Sequence, residues 1–214
     1  MLRALLFDLD GTLSDTDPLH LRSWQECLAG AGMNIDAAFY RSRVSGRTTP
    51  AIVRDLFPHF DDAAVNEFSL RKEQTFRRLA AEMKAVAGLQ AVLDRAHQRS
   101  WKCALVTNGS RESATFMLRT IGIADRFDAM VFGEELHVGK PDPLPYRLAL
   151  EQLQLKPDQA LAFEDSIPGL KSAIGAGLRS VGIATSQSAD DLLAAGATLV
   201  IRDFTDVGLW ELLA

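Results

Sequence analysis

Cysteine, tyrosine and histidine are scarce in this 214-residue chain, with two, two and four copies. Cys27 sits in a helix-like stretch and Cys103 in a strand-like one, and neither belongs to a CxxC or CxxH spacing. A disulfide framework and a zinc site are thereby excluded as organising features, and reduced thiols in a cytoplasmic protein are the expectation. No apolar run approaches the ~20 residues of a membrane span. The apolar run near the N-terminus is broken by Asp8, which argues against a signal peptide. A surplus of positive charge is missing too. A net charge of −5 and a pI near 5.4 leave no basic face for nucleic acid or an anionic membrane. Internal repeats and low-complexity tracts are absent.

What is present is ordinary globular composition, 47% hydrophobic and 24% charged, long enough for one core and a satellite domain. The chain has two textures. From about Leu89 onward, β-like runs (103–107, 129–132, 160–164, 180–183 and 198–201) alternate with helix-like runs starting near Glu112, Pro143, Ile167 and Ala189. The opening run, 2–7, has the same apolar character. Strands apolar on both faces and separated by helices predict an α/β fold: a Rossmann-like parallel sheet with helices on both faces. Between about Asp17 and Glu82 the pattern is helical without a competing strand signal. Asp17 as N-cap and Pro18 in the first turn open one helix, Gly30 and Gly32 close it, and 61–83 keeps a helical period with no Gly or Pro. The expected organisation is an α/β core of 1–15 and 85–214, with 16–84 as an inserted all-helical domain. Two chain crossings make a hinge, so the insert is expected to act as a lid.

In open α/β sheets, ligands sit beyond the carboxyl ends of the strands. The residues at those ends are unusual. Asp8, Asp10, Gly11 and Thr12 follow the first strand, and Thr107, Asn108, Gly109 and Ser110 follow the second. Gly139-Lys140-Pro141-Asp142 precedes a helix, and Glu164, Asp165 and Ser166 follow the run at 160–164. Singly, each group reads as a turn or a helix cap. Together, on parallel strands, they converge on one edge. Asp8, Asp10, Glu164 and Asp165 contribute −4, and Lys140 brings the sum to −3. Like charges gathered in a partly buried cleft oppose folding, and a divalent cation relieves the conflict. Oxygen donors without His or Cys point to Mg²⁺ rather than Zn²⁺. One carboxylate can then attack phosphorus, and a second can protonate the leaving oxygen and later activate water. Mg²⁺ and Lys140 offset the repulsion between nucleophile and phosphate, while Thr107 and the turn amides at Asn108 and Gly109 donate to phosphate oxygens.

With these motifs in their order, FDLDGT, LVTNGS, GKPDP and FEDSIPGLKSAIGAG, the sequence resembles the haloacid dehalogenase superfamily over nearly its whole length. More narrowly it is similar to the β-phosphoglucomutase and phosphoglycolate phosphatase-like subgroup, whose members carry an inserted helical cap. The resemblance implies Asp8 as nucleophile and Asp10 as general acid/base. It implies Thr107, Asn108 and Lys140 as phosphate-binding residues. Asp8, Asp165, Glu164 and the backbone carbonyl of Asp10 would be the Mg²⁺ ligands. Dehalogenases of the superfamily lack the second acid, so the presence of Asp10 disfavours that activity. The stretch DTDPLHLRSW is similar to the mutase branch, including His20. That branch expects Lys-Gly-x-Ser-Arg in the cap, whereas Ser45-Gly46-Arg47-Thr48-Thr49 stands here and both cations are displaced.

The first expectation is therefore a Mg²⁺-dependent phosphatase acting on a small phosphorylated metabolite such as a sugar phosphate, in a monomer or weak dimer. His20, Trp24, Arg43, Gly46, Arg47 and Thr48 are the candidate substrate contacts, with Trp24 equally suited to the core of the insert. A sugar-phosphate mutase is the alternative. A non-enzymatic phosphoacceptor is the second, although such modules are shorter and lack a helical insert.

Overall fold

In the computed structural model, which describes residues 1–45 and 47–214, the six β-like runs form one parallel sheet. The strands are β1 (Ala4–Phe7), β2 (Lys102–Thr107), β3 (Ala129–Phe132), β4 (Ala160–Glu164), β5 (Arg179–Ile183) and β6 (Leu199–Ile201). Their spatial order is β3-β2-β1-β4-β5-β6. Every residue of β1 and β4 is buried, as expected where crossover helices cover both faces of a sheet. On one face Leu6, Ala104, Val106 and Ala162 pack against Tyr146, Ala149, Leu150 and Ala173. Phe7 stacks on Phe163 with ring centroids 4.9 Å apart, and Phe204 leans on both rings.

From β1 the chain moves out to β2 and β3, then returns to the other side for β4, β5 and β6. The reversal lies at β1, and a ligand crevice is expected at the carboxyl ends there. Register sharpens this placement. Phe7 pairs with Leu105 on one side and with Phe163 on the other. The next residues, Asp8, Val106 and Glu164, therefore arrive level with one another.

The chain divides into two compact units, one of Met1–Asp15 with Lys84–Ala214 and the other Thr16–Met83. In the first unit the helices are α5 (Leu89–Gln98), α6 (Arg111–Thr120), α7 (Leu144–Leu153), α8 (Ile167–Gly175), α9 (Ala189–Ala194) and α10 (Val207–Leu212). The outgoing and returning chains are tied together inside this unit. The Ser14 hydroxyl donates to the Lys84 carbonyl at 2.7 Å, and the Val86 amide donates to the Leu13 carbonyl at 2.9 Å.

The second unit holds α1 (Asp17–Ala29), α2 (Ala37–Arg43), α3 (Thr49–Leu56) and α4 (Asp62–Leu79), with no strand among its described residues. Its core is built from Trp24, Leu28, Tyr40, Val53, Val65 and Phe68. Thr16, rather than Asp17, occupies the cap position of α1, and Pro18 sits in the first turn, where its missing N–H leaves no bond unmade. The Asp17 carboxylate accepts from the Tyr40 hydroxyl at 2.9 Å, so it serves tertiary packing instead of capping. Asp61 does cap α4, accepting from the Ala64 amide at 2.8 Å. Among the described residues, no helix is long and apolar enough to cross a membrane.

Candidate active site

The site grows from the end of β1. Asp8 is 8% exposed, and its Oδ1 accepts from Lys140 Nζ at 2.6 Å. The same ammonium donates to Glu164 Oε1 at 2.5 Å and to the Val106 carbonyl at 2.6 Å. An ammonium has three protons, so Lys140 is saturated by three acceptors that belong to β1, β2 and β4 or their ends. This is how a lysine is buried without an uncompensated charge. Glu164 accepts a further bond on Oε1, from the Tyr146 hydroxyl at 2.7 Å.

The loop after β2 supports the lysine from behind. Asn108 Oδ1 accepts from the Lys140 amide at 2.9 Å, and its Nδ2 donates to the Lys140 carbonyl at 3.1 Å. Gly133 and Gly139 leave room for that side chain: a Cβ at either would stand 2.5 Å from Asn108 Oδ1. The Asn108 side chain thus holds the Lys140 peptide through both its N–H and its carbonyl. Thr107 Oγ1 accepts from the Gly109 amide at 3.0 Å. That bond ties the Gly109 amide to Thr107. It also points a lone pair of the Thr107 hydroxyl inward, so the single proton is left to donate elsewhere. Ser110 caps α6 through the Ser113 amide at 3.1 Å.

Electrostatics reflects the crowding. Burial pushes the Asp8 carboxyl up to about 7, with Lys140 opposing the rise and Glu164 and Asp10 adding to it. Burial pulls Lys140 down, but Asp8 and Glu164 outweigh it and hold the ammonium up at about 12. Burial, with Glu164 adding, keeps the Tyr146 phenol well above its usual range, so it is a neutral donor. A carboxyl that retains its proton near neutrality marks negative charge that one lysine leaves uncompensated.

The donor set fits a hard cation. Asp8, Glu164 and Asp165 each offer a carboxylate oxygen, all within 4.8 Å of one another and all buried. Among the described residues, no His or Cys joins this group. Oxygen-only donors with excess negative charge match magnesium or calcium chemistry rather than zinc.

The remaining sequence candidates lie in the helical unit. His20 places Nδ1 3.0 Å from Lys72 Nζ and stacks its ring on Phe76 at 4.0 Å. Trp24, expected among the substrate contacts, is 2% exposed and packs on Phe68. Its indole fills the core of the unit, which is the other role its sequence position allowed. Arg47 pairs with Asp55 at 2.5 Å and donates to the Arg43 carbonyl at 3.0 Å, while Thr48 occupies the cap position of α3. Gly46 lies outside the described residues.

Hydroxyls that no sequence motif pointed to also touch the acidic group: Tyr146 on Glu164, and Ser186 on Asp165 at 2.5 Å. An aromatic inside the apolar stripe of α7 and a serine in a polar turn carry no distinguishing sequence signal.

A model of the haloacid dehalogenase-like hydrolases matches residues 5–183. The chain belongs to that family. It is 31% identical over 210 residues to the validoxylamine A 7'-phosphate phosphatase of Streptomyces hygroscopicus subsp. limoneus, covering 97% of this chain and 96% of the relative. It is likewise 31% identical over 208 residues to the phosphorylated carbohydrates phosphatase of Thermotoga maritima, covering 94% of each. Among solved structures, a mutant of CbbY from Rhodobacter sphaeroides in complex with xylulose-(1,5)bisphosphate superposes with a TM-score of 0.87 at 28% identity, over 97% of both chains. The resemblance carried by the four motifs is borne out. As a haloacid dehalogenase-like hydrolase with phosphatases for relatives, the chain is an enzyme of the phosphatase type.

Proposed function

We propose that this haloacid dehalogenase-like hydrolase is a Mg²⁺-dependent phosphatase of a small phosphorylated sugar, working through an aspartyl-phosphate on Asp8. The observation that carries the reading is the buried triad of Asp8, Lys140 and Glu164, with Lys140 Nζ 2.6 Å from the Asp8 carboxylate and 2.5 Å from Glu164. The sugar-phosphate class is supported by the relatives, whose names specify phosphorylated carbohydrates and validoxylamine A 7'-phosphate.

In this proposal an Asp8 oxygen attacks phosphorus while the bond to the leaving oxygen breaks. Asp10, two residues on, gives that oxygen its proton. Water then attacks the acyl phosphate, Asp10 takes back a proton, and inorganic phosphate leaves with Asp8 regenerated. Lys140 holds the nucleophile and offsets its charge against the incoming dianion. The Thr107 proton and the Asn108 amide donate to phosphate oxygens. Asp8, Glu164, Asp165 and the main-chain carbonyl of Asp10 would hold Mg²⁺, which when bound neutralises phosphate charge in the transition state. His20, Arg43, Gly46, Arg47 and Thr48 are proposed to read the sugar, with Trp24 supporting them from the core of the helical unit.

The test is phosphate release over a panel of phosphorylated sugars. Wild-type protein is expected to release phosphate, to stop in EDTA and to recover with added Mg²⁺. Asp8→Asn is expected to be inactive and folded. Interconversion of hexose phosphates without phosphate release would replace this reading with a mutase. A protein-bound phosphate lasting minutes would replace it with a phosphoacceptor. Appreciable turnover by Asp8→Asn would remove Asp8 as the nucleophile.

A further inference from the structure

The adjacent carboxylates Glu164 and Asp165 are each gripped by a hydroxyl from an element outside the four motifs. Ser186 stands in the turn after β5. Its Oγ lies 2.5 Å from Asp165 Oδ2 and 2.9 Å from the Asp165 main-chain oxygen. The neighbouring Thr185 hydroxyl donates to the Gly11 carbonyl at 2.6 Å. Gly11 has a φ of +78°, and a Cβ there would fall 2.1 Å from the same Asp165 Oδ2. This oxygen is therefore held between Ser186 and the Gly11 backbone. On the other side Tyr146 is fully buried in α7 and donates to Glu164 Oε1 at 2.7 Å. The second Glu164 oxygen is confined as well. A Cβ at Gly169 would stand 1.8 Å from Oε2, and the Ser166 hydroxyl approaches Oε2 at 3.3 Å.

Neither hydroxyl adds charge. Lys140 already brings one positive charge to Glu164 Oε1. A neutral donor fixes which way a carboxylate faces without cancelling more of the negative field that attracts a dication. We propose that Tyr146 and Ser186 are positioning residues of a divalent-cation site on Asp8, Glu164 and Asp165, each pinning one oxygen of one carboxylate by a single hydrogen bond. The proposal rests on the Mg²⁺ reading above. Partners of this kind govern metal affinity by roughly 10–100-fold in known sites.

The experiment is a titration of the full-length, metal-free protein with Mg²⁺ alone, followed by calorimetry without substrate. Tyr146→Phe and Ser186→Ala are each expected to weaken Mg²⁺ binding about tenfold. Ser186→Thr, which restores a hydroxyl, is expected to recover most of the affinity. A purely structural role would instead lower the unfolding temperature of the metal-free protein and leave the Mg²⁺ affinity unchanged. Ser186 is half-buried on a turn, so its alanine variant keeps the test valid if Tyr146→Phe fails to fold. Affinity within twofold of wild type in either variant overturns the role of that residue while the cation reading stands. Wild-type protein that takes up no Mg²⁺ overturns both.

Discussion

Asp8→Asn tests the electrostatics of the site without substrate. Asp8 is 8% exposed. Burial, opposed by Lys140 and assisted by Glu164 and Asp10, lifts its pKa from 3.8 to about 7. Between those values the folded, metal-free protein holds a proton at Asp8 that the unfolded chain has released. The folded state binds more protons, so stability falls as pH rises through this window. Each pKa unit corresponds to about 1.4 kcal/mol, so ionising Asp8 costs the native state up to about 4 kcal/mol once the pH passes the folded value. Asparagine has nearly the same shape and cannot ionise, so the variant escapes that cost. Lys140 does not interfere. Its ammonium is raised from 10.5 to about 12, and the stability it contributes is complete below 10.5 and lost only as pH climbs through that higher window. The assay is urea denaturation of both proteins in EDTA from about pH 4 to about pH 8. The curves are expected to lie close at the acid end, with the variant more stable by several kcal/mol at the alkaline end. Adding Mg²⁺ at the alkaline end is expected to stabilise wild type more than the variant, because the ionised carboxylate is then paired. A stability difference in EDTA that stays flat across the range would refute the claim that Asp8 carries uncompensated charge.

Three further substitutions probe other parts of the arrangement. Gly169→Ala drives a methyl to 1.8 Å from Glu164 Oε2, inside a fully buried pocket. Displacing that carboxylate is expected to destabilise by about 2–4 kcal/mol and to cut kcat/KM by more than about a hundredfold; wild-type kinetics would show that the facing of Glu164 is irrelevant. Asn108→Ala removes both bonds to the Lys140 peptide, of 2.9 and 3.1 Å. Its expected effect is about 1–2 kcal/mol on the urea midpoint and a tenfold or larger fall in kcat, with an unchanged kcat counting against a supporting role. Arg47→Ala breaks an exposed pair with Asp55 and is expected to shift stability by less than about 1 kcal/mol. KM for a sugar phosphate is expected to rise more than KM for an aryl phosphate; an equal rise removes Arg47 from specificity.

The sheet was legible in the sequence because its strands are covered on both faces. Their apolar runs stand out, and β2 to β6 fall within a residue of the expected ranges. In the helical unit, α2 and α3 were not separately legible. Helices of seven and eight residues complete only two turns, too few for a period to show. Asp8 and Asp165 were legible because charge at the end of a buried strand conflicts with the pattern around it, and Lys140 because it stands in the Gly139-Lys140-Pro141-Asp142 stretch ahead of a helix. The bonds from Asn108 to the Lys140 peptide were not legible, since the two residues lie 32 apart along the chain and only the fold brings them together. Tyr146 escaped because its ring is a genuine core residue of α7. Only the destination of its hydroxyl distinguishes it, and that is a tertiary fact.

Lys140 links the chemistry to the sheet itself. Its three acceptors are Asp8 beyond β1, Val106 in β2 and Glu164 at the end of β4. They meet one ammonium only because Phe7, Leu105 and Phe163 are in register one residue earlier. A slip of one residue in β1 would send Asp8 to the opposite face of the sheet and leave the lysine with two partners. The placement of Asp8 against Lys140 and Glu164 is therefore set by strand pairing. The insert leaves and re-enters the α/β unit next to bonds that this unit makes with itself, Ser14 to Lys84 and Leu13 to Val86. These bonds close the two stems of residues 16–83 within the α/β unit itself. Substitutions at the strand ends should alter whether any substrate is hydrolysed.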